Sequence, residues 1–225
     1  MMELTLAGHS FIRHLERHVF DSFFSVPHGT YSPAYGDITT RDSHMANQLA
    51  QGLKLDNYFS RIFCVSSGIT FIEDIVAAEA RIRDTKPHVL LVDVGSNDIA
   101  GLSTKDSRKV LDKVHCLHQL LEAISAPLTV VNAVLPRTRG IAGSAQIFAD
   151  NAKLFNSIMA EYISVCPSMH FNKLRGFQFS HVQGSDIPKP VHEWSHDGIH
   201  CSPTSMECYI QRLRHAILDN CHNIK

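Results

Sequence analysis

The chain has 225 residues, enough for one α/β domain with a substantial core, and residues 1–225 are expected to form that single domain. An apolar content of 44% and a charged content of 19% are those of a globular protein, and a formal charge of -1 without a basic run argues against a nucleic-acid partner. No apolar stretch approaches the roughly 20 residues that span a bilayer, and Met1 and Met2 run straight into a short strand without a signal-peptide pattern, so a cytoplasmic protein is expected.

Glu3 to Ala7 reads as the first strand, closed by Gly8. Ser10 can N-cap the next helix, in which Phe11, Ile12, Leu15, Val19, Phe20, Phe23 and Phe24 keep a 3.6-residue period. Residues 27–37 carry Pro, Gly, Ser and Tyr and read as loop, and 41–53 as a second helix. Arg61 to Val65 is the second strand. Ser66-Ser67-Gly68-Ile69-Thr70 then turns into a helix with Phe71, Ile72, Ile75, Val76, Ala80 and Ile82 as its apolar residues, stopped by Lys86 and Pro87. His88 to Val94 is apolar almost throughout, as a central strand covered on both faces would be. A long helix over 104–124 leads to a fourth strand, Leu128 to Val134, ended by Pro136. A Gly/Arg loop over 137–144, a helix over 146–165 and an edge strand over 169–174 follow. Residues 175–200 are polar without a period, and Pro203 to Asn220 is the last helix, with Ser202 as its cap and Pro at its first position.

Strands alternating with amphipathic helices predict a parallel sheet with helices on both faces, and such sheets place their sites at the carboxyl ends of the strands. Ser10 follows the first strand, Gly68 the second and Asn97 the third, so all three belong at one edge. Six cysteines without a C-x-x-C pair suit buried thiols better than a disulfide frame, Cys64, Cys116 and Cys208 lying inside predicted elements.

Three short motifs carry chemistry. In Gly8-His9-Ser10 a serine in a tight turn has an exposed hydroxyl and a backbone N–H at a helix start; the bland reading is an ordinary cap. Gly95-Ser96-Asn97-Asp98 follows the most hydrophobic strand, and an Asn N–H aimed at a developing oxyanion is a known catalytic device; the alternative is a turn capping that strand, the role expected of Asp98. Asp-x-x-His occurs three times, at Asp112/His115, Asp197/His200 and Asp219/His222, so spacing alone selects nothing. Only Asp197/His200 lies in a loop feeding a helix. A carboxylate three residues before an imidazole can fix its tautomer and leave the other ring nitrogen for a serine proton.

Together Gly8-x-Ser10, Gly68, Gly95-x-Asn97-Asp98 and Asp197-x-x-His200 resemble the four sequence blocks of the SGNH hydrolases, the GDSL esterase/lipase family, over nearly the whole chain. The resemblance implies a flavodoxin-like, three-layer α/β/α sandwich with a five-stranded parallel sheet. It implies acyl-ester hydrolysis without a metal or other cofactor, on a small-molecule ester. Carried over by position, Ser10 is the nucleophile, His200 the base and Asp197 its orienter. The N–H groups of Ser10 and Gly68 and the Asn97 side chain form the oxyanion hole. The opening Gly-His-Ser-Phe and closing Trp-x-x-Asp-Gly-Ile-His-x-Ser resemble a branch of the family found in animal genomes, some of it associated with mobile elements. One position departs: His9 stands where the family usually has Asp, which removes an acceptor that could brace the turn and places an imidazole beside the site.

Short acyl chains are expected, because the chain has no inserted lid. A pocket-bearing binding module without turnover is the rival reading, with His9 as the feature that feeds it. A metal-dependent hydrolase is a third, resting on His192-Glu193-Trp194-Ser195-His196; the flanking prolines and Gly198 argue against the helix that motif needs. His14 and His18, spaced i, i+4, read as a surface face rather than a metal pair. Trp194 either walls a substrate pocket or plugs the core. Arg137 and Arg139 follow the fourth strand, and a solvated loop is preferred there over binding an anionic part of a substrate. Asp93 is expected to be buried and hydrogen-bonded or to point to the strand end.

Overall fold

The computed structural model describes residues 2–23, 42–177, 195 and 197–221. Five strands, β1 (Met2–Gly8), β2 (Phe59–Val65), β3 (Val89–Asp93), β4 (Leu128–Asn132) and β5 (Met169–Asn172), form one sheet in the order β2-β1-β3-β4-β5. Every pairing is parallel. Eight helices surround it among the described residues: α1 (Ser10–Phe23), α2 (Ser43–Gly52), α3 (Ile72–Ala77), α4 (Glu79–Asp84), α5 (Ser96–Ala100), α6 (Ser107–Ile124), α7 (Ala145–Ser164) and α8 (Pro203–Cys221).

Side chains alternate along each strand, so the sheet separates two apolar layers. Leu4 and Leu6 of β1 and Val89 and Leu91 of β3 pack with Phe11, Leu15, Leu49 and Leu213 under α1, α2 and α8. Ala7, Leu90 and Val92 pack with Ile75, Val114, Phe148 and Phe155 under α3, α6 and α7. The chain is thus a three-layer α/β/α sandwich. Helix starts follow their cap residues: Asp42, Asp106 and Ser144 accept backbone N–H bonds from the first turns of α2, α6 and α7, and Ser202 does so for α8 through Ser205 N–H at 3.3 Å.

Four expectations change. The helix expected after Thr70 is two, α3 and α4, broken at Ala78 (φ −88°, ψ 1°), and Phe71 and Val76 lie exposed rather than in the core. A five-residue helix, α5, stands where a strand-capping turn was expected, entered through Gly95 at φ +97°. Leu174 leaves β5 with φ +47°, so that strand ends at Asn172. All six cysteines are thiols, but Cys208 is exposed on α8.

The carboxyl edge of the sheet is in register. Gly8 pairs with Asp93 and Ala7 with Val65, so α1, the turn before α3, and α5 all leave from one level. Gly8 is required there: a Cβ would stand 2.3 Å from the Asp93 carbonyl oxygen, forcing β1 off β3.

Candidate active site

Ser10 opens α1. The cap position before it falls on His9, whose carbonyl accepts from Arg13 N–H at 3.4 Å. The Ser10 hydroxyl therefore does not cap the helix as expected; it faces two imidazoles. His200 Nε2 lies 2.9 Å from Ser10 Oγ and His9 Nδ1 lies 3.2 Å from it.

The loop carrying Asp197 and His200 is pinned at several points. Ser195 and Cys201 form an antiparallel bridge, and Thr138 N–H, just past β4, donates to Gly198 O at 2.9 Å. Asp197 Oδ1 accepts from the N–H groups of Ile199 (2.8 Å) and His200 (2.6 Å), and His200 Nδ1 lies 2.7 Å from Asp197 Oδ2. Partial burial pushes the Asp197 carboxyl up. The backbone and side chain of His200, with the Ile199 N–H, outweigh that and hold it well below the usual carboxylate range. An ionised Asp197 can only accept, so a neutral His200 carries its proton on Nδ1 and presents a bare Nε2 to Ser10.

His14, expected on a surface face, stacks on His200 with ring centroids 4.4 Å apart and planes within 8°. Burial first, then His200 and Arg13, lower its pKa to about 4, so it is neutral at pH 7. Helical geometry puts it there: one turn after Ser10, it lies on the side of α1 that the loop before α8 covers. A groove of about 450 Å³ opens beside this stack, lined by His14, Arg17, His18, Cys201 and Met206 among others. A cavity of about 480 Å³ lined by Glu3, Arg61 and Lys86 belongs to the amino edge of the sheet, away from Ser10.

Asn97 sits in the first turn of α5, beyond β3. Its Nδ2 donates to Thr70 O at 3.0 Å, and its Oδ1 accepts from Arg137 Nη1 at 3.2 Å. Arg137 is 5% exposed, which overturns the solvated-loop reading; Arg139 is exposed as that reading has it. Burial pulls the Arg137 guanidinium down, and the Asp197 charge partly offsets that. Gly68 lies exposed in the turn closed by Ile69 N–H on Ser66 O, just past β2, at φ +72°, a conformation that favours glycine.

Beneath these residues Asp93 is buried. Its Oδ2 accepts from Tyr209 Oη of α8 and from Asn132 Nδ2 at 2.9 Å, and its Oδ1 lies 3.8 Å from His9 Nε2. Burial pushes its carboxyl up, against the pull of those two donors. Asp98 is structural: it accepts from Ile72 N–H at 3.1 Å and Lys113 Nζ at 2.9 Å, tying α5 to α3 and α6. Trp194 lies outside the described residues, as do His192, Glu193 and His196. Among the described residues, the one group of three side chains near enough to share a metal ion is His118, Glu122 and Cys166, on α6 and just past α7 and so on the other face of the sheet from α1 and α8.

No protein-family model matches the chain, and comparison with curated proteins gives no match either. Solved structures do match. A GDSL-like lipase from Bacteroides thetaiotaomicron superposes over 97% of this chain and 88% of its own, with TM-score 0.59 at 15% identity. A carbohydrate esterase of family 3 from Talaromyces cellulolyticus covers 100% of both chains, with TM-score 0.58 at 12% identity. An acetyl esterase variant with an acetate ion also covers 100% of both, with TM-score 0.56 at 10% identity. The chain has the SGNH, or GDSL-type, hydrolase fold, one whose solved neighbours are lipases, acylhydrolases and esterases. No helix among the described residues is long and apolar enough to cross a membrane.

Proposed function

We propose that the chain is a single-domain serine esterase acting on acyl esters, with short acyl groups preferred. Ser10 attacks the ester carbonyl while His200 Nε2 takes its proton, and Asp197 stabilises the imidazolium that forms. The N–H groups of Ser10 and Gly68 and the Asn97 amide receive the oxyanion. The alcohol leaves with the proton from His200, and water then clears the acyl-enzyme through the same base. The observation that carries this reading is the line Asp197 Oδ2, His200 Nδ1, His200 Nε2, Ser10 Oγ, at 2.7 and 2.9 Å. The acetyl esterase among the fold neighbours supports the preference for short acyl groups.

The test is hydrolysis of p-nitrophenyl acetate, butyrate and octanoate with chelator present. Wild type is expected to turn over acetate fastest, and Ser10→Ala to lose at least about 10³-fold in kcat. Turnover surviving in Ser10→Ala would remove Ser10 as nucleophile, and a folded wild type inert on every ester would favour a binding module.

A further inference from the structure

The second imidazole on Ser10 belongs to His9, the position at which this chain departs from the family motif. His9 is 1% exposed, and its ring is fixed between Ser10 Oγ at Nδ1 and the Asp93 carboxylate side at Nε2. Its Nε2 has no hydrogen-bond partner among the described residues. Burial above all, then Arg137 and His200, lower its pKa to about 3, so the ring is neutral and one nitrogen alone carries a proton.

Which nitrogen follows from counting protons around Ser10 Oγ. Asp197 fixes the proton of His200 on Nδ1, which leaves His200 Nε2, at 2.9 Å, as the acceptor of the Ser10 hydroxyl proton. Ser10 has no second proton to give. An Nε2–H tautomer of His9 would therefore set a bare Nδ1 against an oxygen lone pair at 3.2 Å. The Nδ1–H tautomer makes a hydrogen bond of the same contact. It turns a bare Nε2 towards Asp93 Oδ1, but that oxygen stands 3.8 Å away, beyond hydrogen-bond reach, so the 3.2 Å contact with Ser10 decides.

We propose that His9 donates its Nδ1–H to Ser10 Oγ and thereby acts as a second catalytic imidazole that favours breakdown of the acyl-enzyme. The inference rests on the esterase reading. In acylation the bond occupies one Oγ lone pair and leaves the other to form the bond to the carbonyl carbon. It assists proton loss and blunts attack, two opposing effects on one step. In deacylation both effects align. Water adds to the acyl carbon and gives a proton to His200 Nε2. The tetrahedral intermediate then breaks its C–Oγ bond, and His200 returns the proton to Oγ. A donor already resting on Oγ stabilises the charge gathering on that leaving oxygen. The usual Asp at this position, when ionised, has no proton to donate.

The test compares His9→Leu, which has no donor, with His9→Asn, whose Nδ2 reproduces the Nδ1–H, on p-nitrophenyl acetate. In His9→Leu, kcat is expected to fall about tenfold or more and KM to fall with it, kcat/KM changing less than about threefold. A burst of p-nitrophenolate approaching one equivalent should precede the steady state, and intact mass should show accumulated acetyl-enzyme. His9→Asn should return the burst towards its wild-type amplitude. Equal losses of kcat and kcat/KM in both variants, without a burst, would overturn the inference. Should either variant fail to fold, long-range ¹⁵N–¹H correlation on wild type reads the tautomer directly. Protonated Nδ1 and bare Nε2 on His9 are expected, and the reverse would overturn it. If Ser10→Ala is inert and acyl-enzyme forms, yet His9→Leu behaves as wild type, the His9 inference alone fails. If Ser10→Ala turns over normally, the assignment of Ser10 as nucleophile, on which the His9 inference rests, fails first.

Discussion

At Asn97 the amide orientation is settled by its partners. Arg137 can only donate and the Thr70 carbonyl can only accept, so Oδ1 faces the guanidinium and Nδ2 faces Thr70. Of the two Nδ2 protons, one is spent on Thr70 and one remains for an oxyanion. Asn97→Ala should therefore lower kcat for p-nitrophenyl acetate about 10²- to 10³-fold with little change in KM. An unchanged kcat would take Asn97 out of the oxyanion hole. Arg137→Met should lower kcat less, by loosening Asn97 without removing its proton. The motif Gly95-x-Asn97-Asp98 made Asn97 legible in the sequence, and the loop context did the same for Asp197 and His200. Nothing local marked Arg137; His14 stands one turn after Ser10, but its equal spacing to His18 fits a surface face as well. Arg137 follows a strand in a Gly/Arg segment that reads as solvated, and its burial comes from Phe148 and α5, which the fold brings over it.

Helix α8 joins the site to the sheet through Tyr209, whose hydroxyl donates to Asp93 at the end of β3 while Asn132 of β4 donates to the same oxygen. Tyr209 is fully buried, so Tyr209→Phe leaves the Asp93 carboxyl short of a donor in a dry environment. A loss of about 1–3 kcal/mol in urea unfolding is expected, with the fold retained; a variant as stable as wild type would show that Asp93 does not need the bond. Elements of strong period were readable from sequence to within a few residues, as α1, α6 and α8 show. The break between α3 and α4 was not, because no Gly or Pro marks Ala78 and the residues Ile75, Ala78 and Ile82 keep a helical spacing across it. Helix α5 is too short to carry a period at all.

For the whole molecule, the buried imidazole of His9 and the half-buried one of His14 predict how stability responds to acid. His9 and His14 have folded pKa values of about 3 and about 4, against 6.5 for an ordinary imidazole. The unfolded chain takes up these protons first, so their contribution is complete above about pH 6.5 and is lost as pH falls towards 4. Asp93, with its carboxyl pushed up, works in the opposite direction. The urea midpoint of wild type should drop from pH 7 to pH 5, and His14→Gln should show a shallower drop; an equal or steeper one would contradict the burial of His14. The parallel sheet and its common carboxyl edge follow from alternation of elements and were foreseeable; the strand order does not follow from alternation and came only with the family resemblance. The pairing of two imidazoles on one serine depends on the approach of β3 and the α8 loop, contacts some 80 to 190 residues away in the chain. The central claim is that Ser10 is the activated nucleophile, and the most direct measurement is the site of labelling by a fluorophosphonate, read by intact mass and peptide mapping. One adduct on Ser10, slowed at least about tenfold in His200→Ala and absent in Ser10→Ala, is the predicted result. A folded wild type that takes no label, or takes it at another residue, would contradict the account.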